Sequence, residues 1–321
     1  MDPNENISSS DLKSLLADYR YGRYLEDNSL DINVSKHLME SKIHEYLLQD
    51  DTDFVIEYSE HHEIQGLLLF KLSSWDTKHF GINTSLIDYV VIKETEYEKK
   101  LSITNQLLIK YHKWCEAKKI RFVVVKISSL DLPTIHGFEK NGFRFMENWI
   151  FNKYELINLD QQSKQPLDLR LIKPSDLDDM LSFSKGAFVT HRFHADSYIP
   201  IEKAETLYEK WIRTAFNDPK QRILVYEMND KPAAFMIYYQ YDLRSYFNLR
   251  FAMWKMAVLD PSLKGKGLGT NFFLSLLHYH KKEGLDVVDS GLSNRNLASL
   301  NLHNKLNFKI FCTLVTFHKW I

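Results

Sequence analysis

The sequence predicts an α/β (α+β) protein made of two copies of one unit, each a mixed sheet flanked by helices. Three observations carry this. Strand-like and helix-like apolar periodicities alternate along all 321 residues, a length that suits two domains better than one. Thr104-Asn105 recurs as Thr270-Asn271, and Phe138-Glu139-Lys140-Asn141-Gly142-Phe143 lines up with His303-Asn304-Lys305-Leu306-Asn307-Phe308, an internal repeat with an offset of about 165 residues. Three of the chain's 11 glycines, Gly265, Gly267 and Gly269, fall between an apolar run and an amphipathic segment.

The elements follow in order. Ser8-Ser9-Ser10-Asp11 reads as a helix cap before residues 12–16. Strand signals cover 53–59, 65–72 and 86–92. A helical period covers 101–117, with apolar positions 103, 107, 108, 111 and 114. A continuous apolar strand at 121–127, a helix at 131–141 and a strand around 143–156 complete the first copy. The polar stretch 158–166 reads as a linker, which places the domains at 1–160 and 167–321. The second copy has a strand at 167–172, helices at 173–188 and 201–217, and strands at 222–228, 231–241 and 248–259. The glycine loop, a helix at 271–283, a strand at 285–290, a helix at 295–306 and a strand at 308–318 finish it.

Composition narrows the function classes. With 44% hydrophobic residues the chain can build real cores, and a net charge of −1 provides no field to recruit nucleic acid. Cys115 and Cys312 form no disulfide framework and no zinc spacing. His61-His62 and His278/His280 read as surface residues, so no metal is expected. Met1 to Asn6 lacks the pattern of a signal peptide, and no apolar run approaches the ~20 residues of a membrane span. A cytoplasmic protein without membrane insertion is the expectation, and a homodimer is compatible with it.

The loop Lys264-Gly265-Lys266-Gly267-Leu268-Gly269-Thr270 has the chemistry of an anion site. Glycines let backbone N–H groups converge, a helix N-terminus adds a positive dipole end, and lysines suit a pyrophosphate. A glycine-rich turn on a basic surface is the plainer alternative. The spacing is neither a P-loop nor a Rossmann fingerprint.

The same stretch resembles the acyl-CoA loop [QR]-x-x-G-x-[GA] of the Gcn5-related N-acetyltransferase superfamily (GNAT), with lysine for the usual Gln or Arg. Residues 296–308 resemble that superfamily's N-x-x-A-x-x-L-Y-x-K-x-G-F motif, with His303 for tyrosine and Asn307 for glycine. The resemblance implies acyl-CoA as co-substrate, held by the loop, by Asn296 and Lys305, and by the strand backbone at Met256 and Val258. It implies a tandem of two such sheets, the first degenerate. Residues 94–100 carry no glycine and are acidic where a pyrophosphate would sit, Phe138 replaces His303, and Asp131 replaces Asn296.

Two further stretches resemble the TDP-fucosamine acetyltransferase-like nucleotide-sugar N-acyltransferases. Trp75-Asp76-Thr77-Lys78-His79-Phe80-Gly81 is similar to W-D-S-x-F-F-G, and His191-Arg192-Phe193-His194-Ala195-Asp196 to S-R-F-H-x-D. The implied acceptor is a dTDP-linked 3-amino- or 4-amino-dideoxyhexose. The implied donor is acetyl-CoA or a longer hydroxyacyl-CoA such as 3-hydroxybutanoyl-CoA. Trp75, Asp76, Phe80, Arg192 and Phe193 are then acceptor contacts; the plainer alternative is that Trp75, Phe80 and Phe193 are core and Arg192–Asp196 a structural ion pair. His303 is the candidate acid, or else a packing residue, and His194, Asp196 or a water is the candidate base. The alternatives are a GNAT acting on a peptide, polyamine or aminoglycoside, an aminoacyl-tRNA-dependent cell-wall transferase, and a non-enzymatic acyl-CoA sensor.

Overall fold

Ser8 opens the first helix as expected. Its hydroxyl accepts the Asp11 N–H, and the Asp11 carboxylate accepts the Ser8 N–H, so α1 (Ser9–Leu16) starts with a reciprocal cap. The computed structural model describes residues 7–160, 166–189, 191–263, 265 and 267–321. The central part of the expected linker, together with Thr190, Lys264 and Lys266, lies outside the described residues.

The chain forms two compact units, residues 1–149 with 312–321, and residues 150–311. The first unit contains α1, α2 (Ile32–Leu47), β1 (Thr52–Tyr58), β2 (Ile64–Leu72), α3 (Ser74–Phe80), β3 (Thr84–Ile92), α4 (Tyr97–Ala117), β4 (Phe122–Ser128) and α5 (Leu132–Lys140). Strand β5 (Arg144–Glu155) begins in this unit and ends in the second. The second unit continues with β6 (Leu169–Leu171), α6 (Leu177–Ser184), α7 (Arg192–Ala195), α8 (Ile201–Asn217), β7 (Gln221–Met228), β8 (Lys231–Leu243) and α9 (Arg244–Phe247). Then come β9 (Leu249–Leu259), α10 (Leu268–Lys282), β10 (Val287–Ser293) and α11 (Leu297–Lys305). Strand β11 (Lys309–Trp320) starts in the second unit and ends in the first.

The expected division at 1–160 and 167–321 therefore changes. In the first unit the strand order is β1-β2-β3-β4-β11, and β4 pairs antiparallel with β11 from Ser128↔Leu314 to Phe122↔Trp320. Sequence periodicity identifies a strand but not its neighbour, so this placement was not readable. Phe317 and Val315 of β11 are buried in the first unit's core with Phe138, Tyr111 and Val125. The second unit's order is β10-β9-β8-β7-β6, with a core around Trp254, Phe273, Leu276 and Phe308.

The internal repeat is visible in the backbone. Phe143 N donates to Phe138 O at 3.1 Å, and Phe308 N donates to His303 O at 3.0 Å. Gly142 (φ +80°) and Asn307 (φ +68°) hold the same left-handed position between those partners.

Three expectations need adjusting. Helix α2 gave no clear signal, because its inner face mixes Ser35 and Glu40 with Leu38 and Ile43. Helix α6 stops at Ser184 rather than near 188, where Gly186 turns left-handed at φ +73°. His280 is fully buried rather than at the surface, and its Nε2 accepts the Trp254 indole N–H at 3.0 Å. Burial holds its pKa down at about 3, so the ring is neutral.

Candidate active site

Strands β9 and β10 are paired over four rungs, from Phe251↔Val287 to Trp254↔Ser290, and the pairing stops there. A bulge in β9 sits at that point. Ile237 of β8 faces Met256 and Tyr238 faces Trp254, so exposed Lys255 is the extra residue. Beyond the bulge β9 stays with β8 alone.

The direction of the free backbone groups follows from alternation. Asp260 N donates to Ala233 O at 2.9 Å, which makes that pair hydrogen-bonded. Antiparallel pairs alternate, so Val258 and Met256 also turn their N–H groups to β8. The N–H groups on the open side are those of Ala257 and Leu259. This corrects the expectation that Met256 and Val258 present their N–H groups to pantetheine; the pattern is displaced by one residue.

The chain then turns through a single 3-10 turn at Pro261–Leu263, with Asp260 accepting from Ser262 N (2.9 Å) and Leu263 N (2.9 Å). Gly265 and Gly267 both lie in the left-handed region, at φ +81° and +74°. Gly267 is the N-cap of α10, and among the described residues no side chain caps this end. The helix begins three residues earlier than its periodicity suggests, so Leu268, Gly269 and Thr270 supply its first-turn amides, which lack intrahelical partners. That is the donor set an anionic group requires. Lys305 reaches over from α11, its Nζ 3.4 Å from Thr270 Oγ1. Asn296 has a structural task, since its Oδ1 caps α11 by accepting Ser299 N at 3.1 Å.

The first unit repeats the parted strands but has no glycine turn before its helix. Strands β3 and β4 pair only from Thr84↔Phe122 to Ile87↔Val125, and a bulge in β3 leaves Asp88 as the extra residue. Before α4, Glu94 Oε1 accepts from Thr95 N (2.8 Å) and Glu96 N (2.9 Å). That carboxylate takes up the two amides just ahead of α4, not those of its first turn.

His303 is a buried ring packed by Trp254, Phe273 and Phe308, with centroids at 6.1, 5.4 and 4.6 Å. Its Nδ1 lies 2.8 Å from Ser299 O, which assigns the proton to Nδ1 and leaves Nε2 as a bare acceptor. Burial holds its pKa down at about 4. A neutral ring whose only N–H is held by a carbonyl is poorly suited to donate a proton. The packing role, rather than the acid role, is the one this geometry favours.

The acceptor-side residues divide between the units. In the second, α7 holds Arg192, buried with its guanidinium 4.3 Å from the Phe193 ring centroid. Phe193 is 3% exposed, stacked on His191 at 5.5 Å and edge-on to Trp211. It is a core ring, not a free face for a base or sugar. Asp196 is buried and accepts Tyr198 N at 3.1 Å. His194 is half-buried, and its Nδ1 finds no partner among the described residues. In the first unit, Asp76 accepts the Ser73 hydroxyl at 2.6 Å and completes the cap of α3. Trp75 stacks on His79 at 5.4 Å, and Phe80 packs edge-on against Phe122 at 5.6 Å.

Residues 188–308, which contain both the parted strands and the glycine turn, match the acetyltransferase (GNAT) family. The second unit carries a GNAT domain. It is an acyl-CoA-dependent N-acyltransferase domain. The chain is similar to the spore coat polysaccharide biosynthesis protein SpsD of Bacillus subtilis, 18% identical over 290 residues, 90% of this chain and 96% of that protein. It is also similar to the L-methionine sulfoximine/L-methionine sulfone acetyltransferase of Salmonella typhimurium, 29% identical over 84 residues, 25% of this chain and 49% of that protein. Two solved structures share the fold. A GCN5-related N-acetyltransferase from Sphaerobacter thermophilus aligns with TM-score 0.64 at 9% identity, covering 98% of this chain and 93% of that one. A tandem GNAT protein from the clavulanic acid biosynthesis pathway aligns with TM-score 0.57 at 13% identity, covering 99% and 96%.

One polar residue of the GNAT domain escaped the sequence reading. Asp289 is 2% exposed and stands on β10 opposite Met253, one rung before the strands part. In sequence it directly follows Val287-Val288, in a stretch that reads only as a strand. Among the described residues no group of three or more His, Cys, Asp or Glu could hold a metal ion, and no helix is long and apolar enough to cross a membrane.

Proposed function

We propose that the chain N-acylates a nucleotide-linked amino sugar, a dTDP-linked 3-amino- or 4-amino-dideoxyhexose, as a step in surface-glycan precursor synthesis. The carrying observation is the pair of open donor sets beside the parted strands: the Ala257 and Leu259 amides, and the uncapped first turn of α10. The first suits the amide groups of pantetheine, the second a pyrophosphate. The acyl donor is acetyl-CoA or a hydroxyacyl-CoA such as 3-hydroxybutanoyl-CoA.

The neutral amine attacks the thioester carbonyl, the C–N bond forms, the C–S bond breaks, and the electron pair leaves on sulfur. The amine must lose a proton, and His194, with an unpartnered Nδ1, is the base we favour. Asp196 and Asp289 are the carboxylates to compare with it. Arg192 acts from within, fixing the loop that carries His194, and not as an exposed diphosphate clamp. The sugar acceptor is supported by the two resembling stretches and by likeness over most of the chain to a protein named for spore coat polysaccharide biosynthesis.

The test is a coupled thiol-release assay with acetyl-CoA. A dTDP-amino sugar should be acylated with kcat/KM at least about a hundredfold above the free amino sugar or spermidine. Equal rates on spermidine would move the acceptor to polyamines and leave the acyltransferase intact. Tight CoA binding with no turnover on any amine would make the chain an acyl-CoA sensor.

A further inference from the structure

The first unit has lost its anion turn, yet it keeps a cavity of about 220 Å³ where its own strands part. The cavity opens past the last β3–β4 rung, and its lining includes Tyr21, Tyr89, Lys42, Lys126 and Asp131. The segment from Tyr19 to Leu25 forms another wall, turned by Gly22 at φ +109° and tied to β3 by Tyr19 Oη donating to Val90 O at 2.8 Å.

Three features of the lining specify chemistry. Asp131 is 3% exposed; its Oδ2 accepts from Lys100 Nζ (2.9 Å) and Thr134 Oγ1 (2.9 Å), while its Oδ1 is buried with no partner. A buried carboxylate oxygen without a donor is costly, and a ligand hydroxyl placed there would satisfy it. Lys100 balances the charge of Asp131 and lies 4.3 Å from the Tyr21 ring centroid. Lys42 makes no ion pair among the described residues, and burial pushes its ammonium below the usual lysine range, so an anion beside it would be welcome. The tyrosines offer apolar faces edged with hydroxyls, which suit a sugar ring.

We propose that this cavity is a second ligand site, for a monosaccharide carrying a phosphate. The ring lies against the tyrosines, a hydroxyl donates to Asp131 Oδ1, and the phosphate meets Lys42. The cavity is smaller than the ~300–1,000 Å³ clefts of drug-sized ligands, which favours one ring over a dinucleotide. A sugar phosphate can arrive free or as the sugar end of a nucleotide sugar, and the two sources share this chemistry. The site is independent of the transfer reaction proposed above.

The experiment is calorimetric titration of the full chain with glucose 1-phosphate in saturating CoA, which keeps the α10 turn occupied. One site per chain is expected, with affinity at least about tenfold above that for glucose or inorganic phosphate. Lys42→Gln should weaken it at least tenfold. Asp131→Asn should also weaken it; if that variant does not fold, Lys42→Gln decides. Competition by dTDP-glucose would assign the nucleotide sugar as the source, and lack of competition the free sugar phosphate; both uphold the site. Absence of binding by glucose 1-phosphate, equal binding of phosphate alone, or wild-type affinity in Lys42→Gln would overturn it.

Discussion

Asp88 and Lys255 stand at the same place in the two units, each the extra residue of a bulge where two parallel strands separate, and they carry opposite charge. The pair marks what the two copies kept and what one gave up. Both kept the parted strands. Only the second kept a glycine turn, with Gly265 and Gly267 left-handed before α10; the first has the acidic, glycine-free stretch 94–100 in its place. One CoA per chain is therefore expected. Calorimetric stoichiometry checks this, and a value of two would refute it.

Gly267 tests the turn. A Cβ built there meets nothing within 4 Å, so a side chain is refused by the backbone and not by a neighbour. Gly267→Val should cost about 1–3 kcal/mol in strain at φ +74° and lower CoA affinity at least tenfold in a folded protein. Gly267→Asn, which tolerates that region, should keep most of the affinity. Equal affinity in wild type and Gly267→Val would detach the turn from CoA.

His303 and His280 should make the protein acid-sensitive. Their folded pKa values are about 4 and about 3, against about 6.5 when unfolded. The unfolded chain then binds more protons below pH 6.5, so the stability tied to the neutral rings is complete above that pH and is lost as pH falls toward 4 and 3. His303 alone accounts for roughly 3 kcal/mol of this. Thermal melts between pH 7 and 4 should show a fall that His303→Phe reduces. The same pKa predicts that His303 contributes no break to the pH–rate profile between pH 6 and 8.

Phe317 tests the division of the chain. It is fully buried in the first unit's core, although it follows the GNAT motifs in sequence. Phe317→Ala should cost about 3–5 kcal/mol. Hydrogen exchange should show the loss in β3, β4 and α4, with α10 protected as before. Loss confined to residues 150–311 would contradict the unit boundaries.

Most elements were legible because burial imposes a period. Helix α8 spans Ile201–Asn217 as its apolar spacing requires, and the glycine turn could be located from Gly265 and Gly267 alone. What stayed hidden depends on partners distant in sequence. Nothing in Val315 or Phe317 says that β4 lies beside them. The Met256/Val258 reading failed by one residue because N–H direction is set by the bulge at Lys255 and not by side-chain identity. Sequence leaves His303 open between proton donor and packing ring, and only its aromatic surroundings separate the two; Arg192 and Phe193, which the resemblance gives as contacts, are buried.

The pairing of β4 with β11 imposes an order on synthesis. About 180 residues separate the two strands, which at ~5–20 residues per second is a delay of roughly 10–40 s on the ribosome. Throughout that interval one edge of β4, with the apolar Val123 and Val125, waits for a neighbour not yet made. A gene divided near its middle would therefore yield an amino-terminal product with an unfinished sheet.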